Sequence, residues 1–210
     1  MITLAVDTSH HVAVGLAIDG EPGPGAVVAD ARAHVEELIP TIQRVLAEAG
    51  HALGDVGEFV VGMGPGPYTG LRVGIATAAT LAYTAARGLH RVCSLDVLAL
   101  GVAADEDFVV ASDARRKELF WARYSGGRRV GEPQVGVPEA LPELPVYGDI
   151  PAEYRPRVRF AGEVRIDCVL AAQRHAQLPV AGEEPYYLRA ADAAVPGAPK
   201  SALPRLRVRR

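Results

Sequence analysis

Gly64-Pro65-Gly66-Pro67-Tyr68-Thr69-Gly70-Leu71-Arg72 is the stretch on which the reading of this chain turns. It follows an apolar, strand-like run, Phe59 to Met63, and opens into a helical pattern from Leu71 to Arg87. Glycine admits backbone shapes closed to other residues and proline fixes its own φ, so their alternation makes a turn both tight and stiff. Thr69 stands where its hydroxyl can cap the helix. Such a loop holds a helix N-terminus in one place, and helix N-termini attract anions. Thr69 and Arg72 are therefore candidate anion-binding residues; the alternative is a rigid strand–helix joint. No lysine follows at Walker A spacing, and the glycine intervals do not fit GxGxxG.

Upstream, Ile2–Val6 reads as a buried strand ending at Asp7, and Val12, Val14, Leu16 and Ile18 alternate as a second strand closed by Asp19-Gly20. Glu21 to Gly25 reads as loop and Ala26–Ala29 as a third strand. The period then changes to helical over Val35–Ala49, with Gly50 as C-terminal cap. Pro40 inside that pattern predicts a kink or a late helix start. Downstream, Val92–Ser94 reads as a short strand and Gly101–Asp107 as a junction. The opening then recurs: a strand ending in Asp7 and a returning strand are matched by Val110 to Asp113 and Leu119–Tyr124. The pattern predicts an α/β chain of two related halves, each a mixed sheet with covering helices, residues 1–104 and 105–210. Leu144–Tyr147 and Val158–Phe160 read as strands, Cys168–His175 as a helix. Lys200 to Arg210 carries five basic residues and no acid; it reads as a solvated tail or as a contact to RNA phosphates.

Of the 210 residues 49% are apolar, enough for a sizeable core, and the formal net charge of −3 gives no general attraction to nucleic acid. Cys93 and Cys168 lack CxxC spacing and read as buried thiols of a reducing compartment. The N-terminus has no basic leader, and no stretch approaches the ~20 apolar residues that span a membrane. A cytoplasmic protein with no membrane contact is expected.

Asp7 and Asp113 end strands at matching positions of the two halves. Across a cleft they could hold a hydrated Mg²⁺ with a nucleotide phosphate, with Thr8 and Ser9 following Asp7 as further candidates. The alternative is that each aspartate caps its own turn. His10, His11 and His34 form no metal pattern: there is no HExxH, Leu38 stands four residues after His34, and adjacent histidines on a strand face opposite ways. No metal site is expected, and no GxSxG elbow supports a nucleophile. The apolar stripe of Val35–Ala49 and the small residues of the following helix read as core, interface, or both.

Together Leu4-Ala5-Val6-Asp7-Thr8-Ser9, His34 to Pro40, the Gly/Pro loop, Ser94-Leu95 and Asp113-Ala114-Arg115 resemble the TsaB (YeaZ) family of tRNA threonylcarbamoyladenosine biosynthesis proteins. Pro185-Tyr186-Tyr187-Leu188-Arg189 is similar to a family segment near the end. Pro67-Tyr68 departs mildly from the usual Ser-Phe. The resemblance implies a duplicated actin-like fold of the ASKHA, ribonuclease H-like class. It implies a non-catalytic subunit of the bacterial complex that modifies the adenosine next to the tRNA anticodon, beside a catalytic paralogue, TsaD, and an ATPase, TsaE. TsaD holds its metal through a helical HxxxH pair; here the pair would be His34 and Leu38, so no cofactor is expected on this chain while ATP and a metal serve the complex. The family's subunit contact, or a homodimer without TsaD, maps onto Val35, Leu38, Ile39, Ile42, Leu46, Leu71, Ile75 and Ala78. A glycoprotease-type metallopeptidase or a kinase-like ATPase using Asp7 and Asp113 are the competing readings.

Overall fold

A computed structural model describes residues 1–28 and 34–189 of the chain. The first sheet is built from β1 (Ile2–Asp7), β2 (Val12–Ile18), β3 (Glu21–Val28), β4 (Val56–Gly62) and β5 (Gly88–Val92), in the order β3-β2-β1-β4-β5. β1 runs antiparallel to β2 and parallel to β4. It is central and buried along its whole length, which is why its sequence is an almost unbroken apolar run. Helices α1 (His34–Glu48) and α2 (Tyr68–Thr84) make the crossovers that parallel pairing requires. The short α3 (Ser94–Ala99) leads out of β5.

The second sheet holds β6 (Phe108–Asp113), β7 (Leu119–Ser125), β8 (Arg128–Gly136), β9 (Val146–Asp149) and β10 (Phe160–Gly162), in the order β10-β9-β6-β7-β8. Read from β8, that order is 8-7-6-9-10, the same topology as 3-2-1-4-5. The duplication expected from two Asp-ended strands is thus a duplication of whole sheets. In the second copy the long crossover helices shrink to one 3-10 turn at Pro138–Ala140 and two at Ala152–Arg157.

Helices bury the first sheet on both faces. Leu38, Ile42, Val45 and Leu46 of α1 pack with Leu4, Leu16 and Phe59 on one face. On the other face α4 (Cys168–Arg174) sets Cys168, Ala171 and Ala172 against Ala5, Ala13, Ala17 and Val60. The approach is close: a Cβ on Gly15 would lie 2.3 Å from the backbone nitrogen of Val169. α4 therefore belongs by sequence to residues 105–210 and by packing to the first sheet. α3 contributes Leu95 and Leu98 to the core around Phe108 and Tyr124 of the second.

Several sequence expectations are corrected. β3 runs from Glu21 rather than Ala26; as an edge strand it accommodates Pro22 and Pro24, whose missing N–H groups need no ladder partner there. α1 begins at His34, so Pro40 lies inside it and causes no late start. β5 is Gly88–Val92, and Ser94 opens α3 instead of ending a strand. Thr69 is inside α2: the N-cap is Pro67, with no side-chain cap. Leu38, Ile42, Leu46, Leu71 and Ala78 are buried within the chain and are unavailable to a partner. Ile39, at 40% exposure, faces out and Ile75 is half-buried. The basic segment from Lys200, and the side chain of Val35, lie outside the described residues.

Candidate functional site

Asp7 ends β1 with its carboxylate buried. Its Oδ1 accepts from the Ser9 backbone N–H at 2.8 Å and from the Ser9 hydroxyl at 2.6 Å. Its Oδ2 accepts from the Ser94 hydroxyl at 2.6 Å, and Ser94 Oγ in turn accepts from the Gly64 N–H at 3.0 Å. One carboxylate thus ties together the β1–β2 turn, the Gly/Pro loop and the start of α3. Burial pushes its pKa up; the hydrogen bonds from Ser9 and Ser94 oppose that. Thr8, also buried, donates to the Gly70 carbonyl at 2.8 Å and so pins the first turn of α2 to β1.

The glycines around this joint are spacers. A Cβ on Gly62 would fall 1.8 Å from Asp7 Oδ2, and one on Gly74 would fall 2.1 Å from Thr8 Oγ1. β4 and α2 therefore press directly on Asp7 and Thr8, and in the loop itself a Cβ on Gly66 would lie 2.5 Å from the Ser9 carbonyl oxygen. A hydrated Mg²⁺ needs water-accessible oxygen ligands. Asp7, 2% exposed and hydrogen-bonded through both oxygens, does not fit a nucleotide–metal group. Asp113 takes the local role too: its Oδ1 accepts from the Arg115 N–H at 2.8 Å. Thr69 and Arg72 sit apart from all three residues on the outer face of α2, where the Arg72 guanidinium lies 5.4 Å from the Tyr68 ring centroid. Tyr68 also packs on Tyr187.

The two sheets meet in a cleft lined by Ser9, His10, His11, Ser94, Ser112 and Asp149. His10 and His11 belong to the bend between β1 and β2, so the strand rule that would separate them does not apply. Both Nε2 atoms face Asp149 Oδ2, at 3.3 and 3.6 Å. The His10 hydrogen bond holds the Asp149 carboxyl below its ordinary range. These three side chains are close enough to share a cation, as are Glu58, His90 and His175 elsewhere. Sequence reasoning missed both groups: it set His10 and His11 apart by a strand geometry they do not have, and Asp149, like all three members of the second group, is distant in the chain.

It missed a third. Asp96 on α3 is buried and accepts from the Tyr124 hydroxyl at 2.7 Å and from Arg129 Nε at 3.0 Å. The Arg129 guanidinium stacks over Tyr186. Burial and the neighbouring Asp96 charge push the Cys93 thiol up to about 12, which removes it as a nucleophile at neutral pH.

A family model described as TsaD, tRNA N6-adenosine threonylcarbamoyltransferase, matches residues 27–154. The chain belongs to this family. The TsaD-family chain is also 33% identical over 128 residues to the tRNA threonylcarbamoyladenosine biosynthesis protein TsaB of Escherichia coli, covering 59% of this chain and 55% of that protein. It is 46% identical over 142 residues to an uncharacterized protein of Mycobacterium leprae, covering 65% of this chain and 39% of that one. It thus spans about half, or less, of the length of these curated relatives. Among solved structures, a protein from Pseudomonas aeruginosa described as similar to peptidase YEAZ superposes with a TM-score of 0.74 at 27% identity, over 90% of this chain and 99% of that one. The duplicated α/β fold is shared along nearly the whole of this chain.

Proposed function

We propose that the chain is a non-catalytic partner subunit in the biosynthesis of tRNA threonylcarbamoyladenosine. It supports a TsaD-like catalytic subunit, together with a TsaE-like ATPase, in the cytoplasm, and meets tRNA through that complex. The observation that carries the reading is Leu38. A helical HxxxH metal pair needs a second imidazole one turn after His34, and that position is a leucine sunk into the core at 1% exposure. The self-contained hydrogen bonding of Asp7 supports the same reading, since it leaves the strand-end carboxylate no access to a nucleotide. ATP and the metal then serve the other subunits.

The partner surface is the outer face of α1 and α2, which carries Ile39, Tyr68, Arg72 and Tyr83, with Tyr83 87% exposed. Exposed aromatic and arginine side chains are the types that anchor protein interfaces. The same face serves a homodimer when the catalytic subunit is absent. No helix of the described residues is long and apolar enough to cross a membrane.

Reconstitution tests the proposal. With the catalytic paralogue, the ATPase and threonylcarbamoyl-adenylate supplied, tRNA modification should fall to background when this chain is omitted. The chain alone should be inert. Turnover of tRNA, peptide or ATP by the isolated chain, abolished in Asp7→Ala, would return the enzyme readings.

A further inference from the structure

Glu58, His90 and His175 converge on the α4 face of the first sheet. Side chains alternate along a strand, so Glu58 on β4 shares the face of Val60, and His90 on β5 is the register partner of Val60. His175 follows the last residue of α4 and packs its ring 4.6 Å, centroid to centroid, from that of His90. His90 Nε2 lies 2.6 Å from Glu58 Oε1, and His175 Nε2 lies 3.1 Å from Glu58 Oε2. The three ligand atoms are all within 4.8 Å of one another.

The other side of His175 decides what this cluster is for. Its Nδ1 lies 3.0 Å from the Ala172 carbonyl oxygen, an atom that can only accept. Nδ1 therefore carries the ring proton. In the neutral ring Nε2 then aims a lone pair at the lone pairs of the Glu58 carboxylate, an arrangement that needs a positive centre between them. His90 brings a second Nε2 to the same carboxylate. A proton fills the His90 gap in its neutral Nε2–H tautomer, but fills the His175 gap only by making that ring an imidazolium, since its Nδ1 already donates to Ala172. A divalent cation satisfies both ring nitrogens and the carboxylate at once. Metal-bound histidines commonly donate their other N–H to a backbone carbonyl, which is the bond His175 makes to Ala172.

We propose that Glu58, His90 and His175 form a binding site for a divalent transition-metal ion of the zinc type. Two imidazoles and one carboxylate suit Zn²⁺ and its neighbours, whereas Mg²⁺ and Ca²⁺ prefer all-oxygen shells. Three protein ligands leave a position for water on the side where His90 is exposed, at 40% for its side chain. The ligands come from β4, β5 and the end of α4, so the ion acts as a clip that fastens α4 to the sheet it covers. The site lies away from the interface-bearing outer face of α2 and makes no use of the tRNA chemistry proposed above.

The test uses the full, tag-free chain after chelator treatment. Titration with Co²⁺ followed by its visible absorption, and with Zn²⁺ by calorimetry, should show one ion per chain, with a higher Tm when bound. His90→Ala and His175→Ala should each abolish that binding, and Glu58→Gln should weaken it by roughly tenfold or more. His10→Ala and His11→Ala should leave it unchanged, and Mg²⁺ should not compete. Because His90 is at the exposed edge, its alanine variant keeps the fold even where His175→Ala does not; circular dichroism checks this. Absence of Co²⁺ and Zn²⁺ binding, binding that survives His90→Ala, or binding lost in His10→Ala would overturn the proposal.

Discussion

Asp7 and Asp113 make the same hydrogen bond in the two halves of the molecule: each Oδ1 accepts the backbone N–H two residues on, at 2.8 Å. The turn that follows the first strand of each sheet is therefore held by the same device. The copies differ in burial. Asp7 has added Ser94 as a second anchor and lies sealed in the joint, while Asp113 remains beside the exposed charge of Arg115.

That difference sets a stability ranking. Asp7→Ala strands the Ser9 N–H and two buried hydroxyls, and should cost about 3 kcal/mol. Asp113→Ala loses one turn hydrogen bond and should cost about 1 kcal/mol. Urea denaturation of both variants measures the gap; equal losses would contradict the assignment of Asp7 as the joint.

Burial holds the Asp7 carboxyl above its ordinary value of 3.8, against the hydrogen bonds from Ser9 and Ser94. A carboxyl with a higher pKa folded than unfolded binds its proton more tightly in the folded state. Its contribution is complete below the unfolded value and is lost as pH rises through the folded one. The Tm of the wild type minus that of Asp7→Asn should therefore increase as pH falls from neutrality towards 3.8. A difference that shrinks over that range would mean the carboxylate is stabilised as the anion.

Glycine substitutions read the packing of β4 and α2 against the β1–β2 turn directly. Gly62→Ala and Gly74→Ala place a methyl group on Asp7 and Thr8 and should destabilise by about 1–3 kcal/mol. Gly88→Ala meets nothing within 4 Å, and should change stability by less than about 1 kcal/mol. Thermal melts of the three variants check the order.

The two sides of α1 and α2 separate folding from association. Leu38→Asp and Ile42→Asp bury an unpaired charge and should unfold the chain, at a cost of about 3–5 kcal/mol. Ile39→Asp and Tyr83→Asp sit on the outer face and should leave the melt unchanged while weakening association with the catalytic partner by roughly tenfold or more. Size-exclusion chromatography of the mixed subunits reads the second effect.

Both halves of the fold were legible because β1–β2 and β6–β7 repeat an apolar strand, an aspartate and an alternating return strand, a pattern local in sequence. β3 was read short because its prolines are allowed by its edge position, and that position exists only once the sheet is assembled. Leu38 and Ile42 carried a stripe that fits a partner or a core equally well; only α1 lying on Leu4 and Phe59 separates the two. The cleft histidines were discounted on a strand geometry they do not have, since the bend at Ser9–His11 turns both towards Asp149. Glu58, His90 and His175 left no signal at all, because their meeting depends on α4 returning to the first sheet.

That return has a consequence during synthesis. The helix that roofs Ala5, Ala13, Ala17 and Val60 begins only at Cys168, long after the strands beneath it have left the ribosome. A nascent chain paused before that point presents an uncovered apolar sheet to its surroundings, the kind of surface on which chaperones act and aggregates start. The first lobe to be translated is thus among the last to be sealed.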